Sequence, residues 1–236
     1  MKVVILAGGF GTRLSEYTDT IPKPMVPIGK IPIIHHIMNL YSSYGHNEFY
    51  IALGYKGEVI KDYFNQKIKN WKINLIDTGS STLTGGRVKR LKNYLGDETF
   101  FLTYGDGLSD ININSLLEFH KSHGKTITIS AVRPPARFGS LILDGSKVIK
   151  FKEKVQLENN WINGGFFVVE PNFLNYIEGD NTVLEQEPLE KIVVENNIRA
   201  YKHNGFWQCM DHKTDKDLLE KIFNEKKAPW VRQDDY

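Results

Sequence analysis

Three charged residues stand beside glycine or proline in patterns that suit phosphate chemistry. The first, Arg13, stands two residues after Gly11 in the segment Gly8-Gly9-Phe10-Gly11-Thr12-Arg13-Leu14, which comes straight after the apolar run ending Leu6-Ala7. Glycines at the end of a buried strand leave backbone N–H groups uncovered, and such groups form an anion-binding concavity. Arg13 can then take a phosphate bidentately. Two familiar phosphate loops fail here. A dinucleotide fingerprint begun at Gly9 needs a small residue where Leu14 stands, and a Walker loop needs Lys-Ser/Thr where Thr12-Arg13 follows Gly11. The second charge, Lys23, lies between Pro22 and Pro24. The prolines hold the backbone extended, so this lysine loses less entropy on meeting an anion. Taken alone, it reads rather as an ordinary exposed lysine of a Pro-rich loop. The third is Asp106, between Gly105 and Gly107. It follows a strand-like run, and open α/β sheets bind ligands at strand C-termini. A carboxylate there suits Mg²⁺, which takes one or two carboxylates besides phosphate oxygens. Gly-Asp-Gly is equally good turn chemistry, so these residues alone leave both readings open.

The elements that must position these groups alternate in the first half of the chain. Val3 to Ala7 is a continuous apolar run, as in a buried parallel strand. Pro32 opens a helix with Ile34, Ile37, Met38 and Tyr41 on one face, ended by Gly45. Strands are expected at Phe49–Leu53, Lys72–Ile76 and Phe100–Thr103, with helices around Val59–Phe64 and Val88–Leu95. Strand then helix, repeated, predicts a mostly parallel central sheet with helices on both faces. After about residue 110 short strands follow closely at Thr126–Val132, Leu141–Leu143, Val148–Phe151 and Phe166–Val169, predicting a smaller mixed β lobe. Helices are expected at Pro171–Ile177 and Pro188–Asn196, and last around Leu218–Phe223, with Thr214 as its cap. No linker separates the halves, so residues 1–236 read as one domain with lobes of about 1–110 and 111–236.

Composition narrows the classes. The 236 residues carry 30 basic and 28 acidic side chains, a balance that argues against a nucleic-acid coat protein. One cysteine, Cys209, excludes a disulfide framework and a cysteine-based zinc cluster. No apolar run has the length to cross a bilayer, and the N-terminal run is too short for a signal peptide. The expectation is a soluble cytoplasmic protein.

The glycine loop together with Pro22-Lys23-Pro24-Met25 resembles the signature of the nucleotidyltransferases that make nucleoside-diphosphate sugars. Further segments resemble the glucose-1-phosphate cytidylyltransferases within that family. Among them are Thr84-Gly85-Gly86-Arg87, Thr103-Tyr104-Gly105-Asp106-Gly107, Asn163-Gly164-Gly165-Phe166-Phe167, Glu185-Gln186-Glu187-Pro188 and Gly205-Phe206-Trp207-Gln208 with Met210-Asp211. The resemblance implies a Rossmann-like nucleotidyltransferase fold, with a nucleotide-binding first lobe and a sugar-phosphate second lobe. It implies transfer of a cytidylyl group from CTP to a sugar 1-phosphate, most simply α-D-glucose 1-phosphate, with release of pyrophosphate, in bacterial surface-glycan synthesis. It also implies Mg²⁺ as cofactor, a homo-oligomer, and neither nucleic acid nor membrane as partner.

Residue by residue, Arg13, Lys23 and Asp106 would be catalytic. Leu6, Ala7, Gly8, Gly9, Gly11, Thr12, Arg13, Lys23, Thr84 and Arg87 would bind the nucleotide. Gly85 and Gly86 would let a base approach the backbone, with Arg87 reading cytosine; otherwise Arg87 belongs to a solvated cationic helix face. Tyr104, Gly105, Gly139, Glu153, Lys154, Asn163 and Gly164 would hold the sugar phosphate, and Asp106 with Asp211 would hold the metal. Two departures stand out. Val155 replaces the proline that normally follows the Glu-Lys pair. Only residues 65–71 bridge a gap where close relatives carry an excursion of about two dozen residues. Another base such as dTTP, another phosphorylated acceptor, or a non-catalytic nucleotide-binding regulator are the alternatives. His120 and His123 read as exposed near a helix end, where positive charge is favourable. Cys209 reads as a small buried filler.

Overall fold

The computed structural model describes residues 1–65, 70–134, 139–153 and 160–231. In chain order the first half builds β1 (Lys2–Ala7), α1 (Ser15–Thr18), β2 (Pro27–Ile28), β3 (Ile31–Pro32), α2 (Ile33–Ser43), β4 (Glu48–Leu53), α3 (Gly57–Phe64), β5 (Lys72–Asp77), α4 (Thr84–Arg90), α5 (Lys92–Leu95), β6 (Phe100–Tyr104) and β7 (Gly107–Ser109). The second half builds α6 (Ile113–His123), β8 (Ile127–Val132), β9 (Ser140–Asp144), β10 (Lys147–Lys152), β11 (Ile162–Val169), α7 (Glu187–Val194), β12 (Ile198–Lys202), β13 (Trp207–Cys209) and α8 (Lys213–Asn224).

Seven strands form one sheet in the order β12-β8-β11-β6-β1-β4-β5. β1 runs parallel to β4 and β6, and β4 parallel to β5. β11 enters antiparallel between β6 and β8, and β12 lies parallel to β8. The sheet is therefore mostly parallel in the first half and mixed in the second, and it continues through both lobes. Because side chains alternate across a strand, β1 feeds two cores. Val3, Ile5 and Ala7 pack with Ile34, Ile37, Met38 and Leu219 on one face. Val4 and Leu6 pack with Val88, Leu91, Leu95 and Ile192 on the other. No helix among the described residues is long and apolar enough to cross a membrane.

Several boundaries differ from the sequence reading. α4 begins at Thr84, ahead of its first buried apolar residue, because glycines give no periodic signal. Pro171–Tyr176 forms a 3₁₀ helix. α8 is capped by His212, in a reciprocal capping box with Asp215, rather than by Thr214. The strand β12 and the two-stranded ribbon β7–β13 have no counterpart in that reading. The ribbon matters for function, since it brings the chain after Asp106 beside the chain before Asp211.

Candidate active site

The glycine loop closes the C-terminal end of β1, and its three glycines meet different demands. Gly11 adopts φ +66°, a left-handed conformation open to glycine at little cost. A Cβ on Gly8 would stand 2.2 Å from Arg87 Nη1, whereas one on Gly9 would meet nothing within 4 Å. Gly9 is therefore the position open to a ligand. The loop walls a cavity of about 620 Å³ lined also by Leu6, Ala7, Thr12, Arg13, Lys23, Thr84, Tyr104, Gly105, Asp106, Asn163 and Asp211.

Beside the loop, four charged side chains converge. Lys23 Nζ donates to Asp106 Oδ2 at 2.6 Å and to Asp211 Oδ1 at 2.7 Å. Arg13 Nη1 donates to Asp211 Oδ2 at 2.9 Å while most of its side chain stays exposed. Local packing forces this meeting. A Cβ on Gly105 would lie 3.0 Å from Pro24 Cγ, so the Asp106 turn rests directly on the Pro-Lys-Pro segment. Met210 N donates to Asp106 O at 2.9 Å, tying the Asp211 loop to the same turn. Burial alone would lower the Lys23 pKa, but Asp106 and Asp211 outweigh it and hold it above the ordinary lysine value. Burial likewise pushes Asp211 up, and Lys23 and Arg13 overcome this to hold its carboxyl below the usual range.

Asp211 has a support that sequence reading missed. Asp215, 8 % exposed, accepts from Asp211 N at 3.1 Å and His212 N at 2.9 Å, and its other oxygen accepts from Gln208 Nε2 at 3.1 Å. An acidic residue at the third position of a helix was the available signal. Cys209 is half-buried rather than a core filler; it lines the cavity, with Sγ 3.6 Å from Asp211 Oδ2. Burial first, then the nearby carboxylates, pushes its thiol up to about 12.

Arg87 corrects the sequence reading. It is 4 % exposed, and Nη1 donates to Leu53 O, Thr78 Oγ1 and Gly79 O while Nη2 donates to Gly8 O and Ser80 O. Both amino groups bond to the protein, so Arg87 does not belong to a solvated face, although it also lines the cavity. It clamps the glycine loop to the end of β4 and to residues 79–80. The paired glycines before it also serve the protein. A Cβ on Gly85 would stand 2.8 Å from Thr182 O, and one on Gly86 2.5 Å from Asp180 Cα. They admit the chain at 180–182, not a base.

Of the residues expected to hold the sugar phosphate, Tyr104 and Asn163 line the cavity, and Asn163 Nδ2 donates to Tyr104 Oη at 3.2 Å. Gly164 O accepts from Trp207 Nε1 at 2.7 Å. Among the described residues, Gly139 and Glu153 stand together outside this cavity, a Cβ on Gly139 lying 3.0 Å from Glu153 Oε2. Lys154 and Val155 lie outside the described residues. Glu185, to which the sequence reading gives no role, accepts from Tyr104 Oη at 2.6 Å and Thr84 Oγ1 at 2.7 Å. His120 is 3 % exposed rather than solvated, bonded to Thr128 and Glu170 away from this site.

Comparison with known proteins agrees with this architecture. The model of the nucleotidyl transferase family matches residues 2–212. A glucose-1-phosphate cytidylyltransferase of Salmonella typhi is 45 % identical over 98 % of this chain and 98 % of its own. A probable glucose-1-phosphate cytidylyltransferase of Bacillus subtilis is 42 % identical over 98 % of this chain and 99 % of its own. These alignments run over 253 and 254 positions against 236 residues here, so the relatives carry residues this chain lacks. Among solved structures, HddC from Yersinia pseudotuberculosis is similar with TM-score 0.75 and 26 % identity, over 94 % of this chain and 99 % of that one. With a family match spanning most of its length and relatives this similar from end to end, the chain belongs to the nucleotidyl transferase family.

Proposed function

We propose that this protein transfers the cytidylyl group of CTP to α-D-glucose 1-phosphate, giving CDP-glucose and pyrophosphate. The near-full-length identity to glucose-1-phosphate cytidylyltransferases carries this reading, and the charge arrangement around Lys23 supports the chemistry. An ionised phosphate oxygen of the sugar phosphate attacks the α-phosphorus. The new P–O bond forms as the bond to the bridging oxygen of the β-phosphate breaks, and pyrophosphate leaves with that electron pair. The attacking oxygen carries no proton, so no general base is required, and the work is positioning and charge neutralisation.

Each residue then has a task. Backbone N–H groups around Gly9 and Gly11 cradle the triphosphate, and Leu6, Ala7 and Thr12 hold the loop at the end of β1. Arg13, exposed at the mouth, takes β- and γ-oxygens, and Lys23 meets the charge that develops at the α-phosphate. Thr84 stands at the nucleotide end of the cavity. Tyr104, Gly105 and Asn163 line the acceptor end, and Gly139, Glu153, Lys154 and Gly164 keep the acceptor-binding role that the resemblance gives them. Asp106 and Asp211 fit a divalent cation, because both already converge on one positive charge. No cluster of three or more such ligands occurs among the described residues. Two carboxylates with phosphate oxygens making up the rest is the habit of Mg²⁺. Bound there, Mg²⁺ would neutralise triphosphate charge and favour departure of pyrophosphate. On the resemblance, the product serves bacterial surface glycans and the enzyme works in the cytoplasm as a homo-oligomer.

A pyrophosphate-release assay crossing CTP, dTTP, UTP, GTP and ATP with glucose 1-phosphate, with and without Mg²⁺, tests this reading. Release only with CTP, glucose 1-phosphate and Mg²⁺ is the expected result. Turnover with dTTP in place of CTP, or none with glucose 1-phosphate, overturns it.

A further inference from the structure

Glu185 lies outside the cavity, yet it is bonded to residues that line it from two directions. Thr84, first residue of α4, donates through Oγ1 to Glu185 Oε2 at 2.7 Å. Tyr104, last residue of β6, donates through Oη to Glu185 Oε1 at 2.6 Å. The tie continues inward. Tyr104 Oη accepts from Asn163 Nδ2 at 3.2 Å, and Asn163 Oδ1 accepts from Gly165 N at 2.7 Å. Because the Tyr104 proton is spent on Glu185, its oxygen is free to accept from Nδ2, and together with Gly165 N on Oδ1 this fixes which way the Asn163 amide faces.

The carboxylate is itself well anchored. Leu184, beside it, is buried in the core, and its N–H donates to Thr84 Oγ1 at 2.9 Å. Leu83 N and Gly85 N donate to Asp180 O and Thr182 O at 2.8 and 2.9 Å. The start of α4 and the chain at 180–185 therefore form one unit, and the Glu185–Tyr104 bond joins that unit to β6 and β11. An ionised carboxylate suits this junction because it only accepts. Both hydroxyls must point toward it, in charge-assisted bonds stronger than neutral ones.

We infer that Glu185 is a positioning residue that couples Thr84, at the nucleotide end of the cavity, to Tyr104 and Asn163 at the acceptor end. The assignment of the two ends rests on the function proposed above. Loss of the carboxylate frees the phenol to rotate and leaves the Asn163 amide held by Gly165 N alone, so acceptor binding suffers although no acceptor contact is removed. An amide in its place must donate to one of the two hydroxyls and so turns one of them around.

The test compares wild type, Glu185→Ala, Glu185→Gln, Tyr104→Phe and the double variant Tyr104→Phe/Glu185→Ala. KM values for CTP and glucose 1-phosphate, kcat and Tm are measured for each. Glu185→Ala should raise the glucose 1-phosphate KM by about tenfold, the scale of coupling within one hydrogen-bonded network. Its Tm should stay within a few degrees of wild type, because the residue is exposed. Adding Tyr104→Phe should change little more, and Glu185→Gln should fall between wild type and Glu185→Ala. KM values within twofold of wild type in Glu185→Ala, or effects that multiply in the double variant, overturn the inference. A crystal structure of Glu185→Ala provides a second readout that needs no turnover. Tyr104 and the Asn163 amide should reorient there, and their retention in place overturns the coupling. Wild-type inactivity with CTP and glucose 1-phosphate counts against the proposed function alone and leaves the crystal structure to decide on Glu185.

Discussion

Asp106 and Asp211 share one ammonium: Lys23 Nζ stands 2.6 Å from Asp106 Oδ2 and 2.7 Å from Asp211 Oδ1. The two carboxylates are far apart in sequence, and neither is fully exposed. A single, largely buried cation therefore balances two anions, with Arg13 assisting at the rim. Such an arrangement tolerates the loss of its centre poorly.

Lys23→Met should leave Asp106 uncompensated and Asp211 with Arg13 alone, and cost about 3 kcal/mol in chelator-treated protein, the scale for breaking a buried ion pair. Divalent cation should restore part of the lost Tm, since it replaces the missing positive charge. Turnover should fall by about a hundredfold or more, as when one preorganised donor is removed. Thermal melts with EDTA and with Mg²⁺ check this; equal melting temperatures in both for the variant would contradict it.

Arg87→Ala should act on the fold before it acts on the nucleotide. It strips a partner from the carbonyls of Gly8, Leu53, Gly79 and Ser80, although Gly8 O keeps Tyr55 N and Leu53 O keeps Thr78. Losing this hub of hydrogen bonds from a charged donor should cost about 2 kcal/mol. Urea unfolding measures it. Wild-type stability with only a raised CTP KM would return Arg87 to a base-reading role.

Asp215→Ala should loosen Asp211 without touching any ligand. Losing the capping box costs about 1–2 kcal/mol, and the freed Asp211 loop should lower both kcat and affinity for Mn²⁺ used as a probe cation. Mn²⁺ titration followed by its electron spin resonance signal tests the second effect. Unchanged Mn²⁺ affinity would show that the loop stays in place without Asp215.

Acid should destabilise the protein through histidines well before the Lys23 cluster responds. Burial, and then the neighbouring N-terminal ammonium, pushes His46 down to about 4 from the ordinary 6.5. Its folded pKa is depressed, so the unfolded chain binds more protons between these values and stability falls as pH drops from 6.5 toward 4. Asp211, also depressed, contributes stability above the unfolded carboxylate value near 3.9 and loses it only at lower pH. Lys23 is raised, so its contribution persists until the pH exceeds about 10. Urea unfolding of wild type and His46→Asn from about pH 8 to 4 should show a shallower acid slope in the variant. Parallel slopes would remove His46 from this account.

Much of the cavity lining was legible in the sequence because its signals are local. A glycine loop after an apolar run, a lysine between prolines and an aspartate between glycines each carry their geometry within a few residues. The unbroken apolar run of β1 likewise marked a strand buried on both faces, and it does feed two cores. Roles that depend on distant partners were not legible. Arg87 sits in a cationic run whose neighbours suggest solvent, yet it is buried because Gly8 and Gly54 leave space that its guanidinium fills. Gly85 and Gly86 gave no hint that the chain at 180–182 would be their neighbour. Glu185 and Asp215 had no visible task until Tyr104, Thr84 and Asp211 came within hydrogen-bond reach. Short-range backbone and side-chain preferences determine which chemistry this chain can present. Hydrogen bonds and close packing between residues far apart in the chain exist only after folding, and they decide which charges face the cavity and which hold its walls.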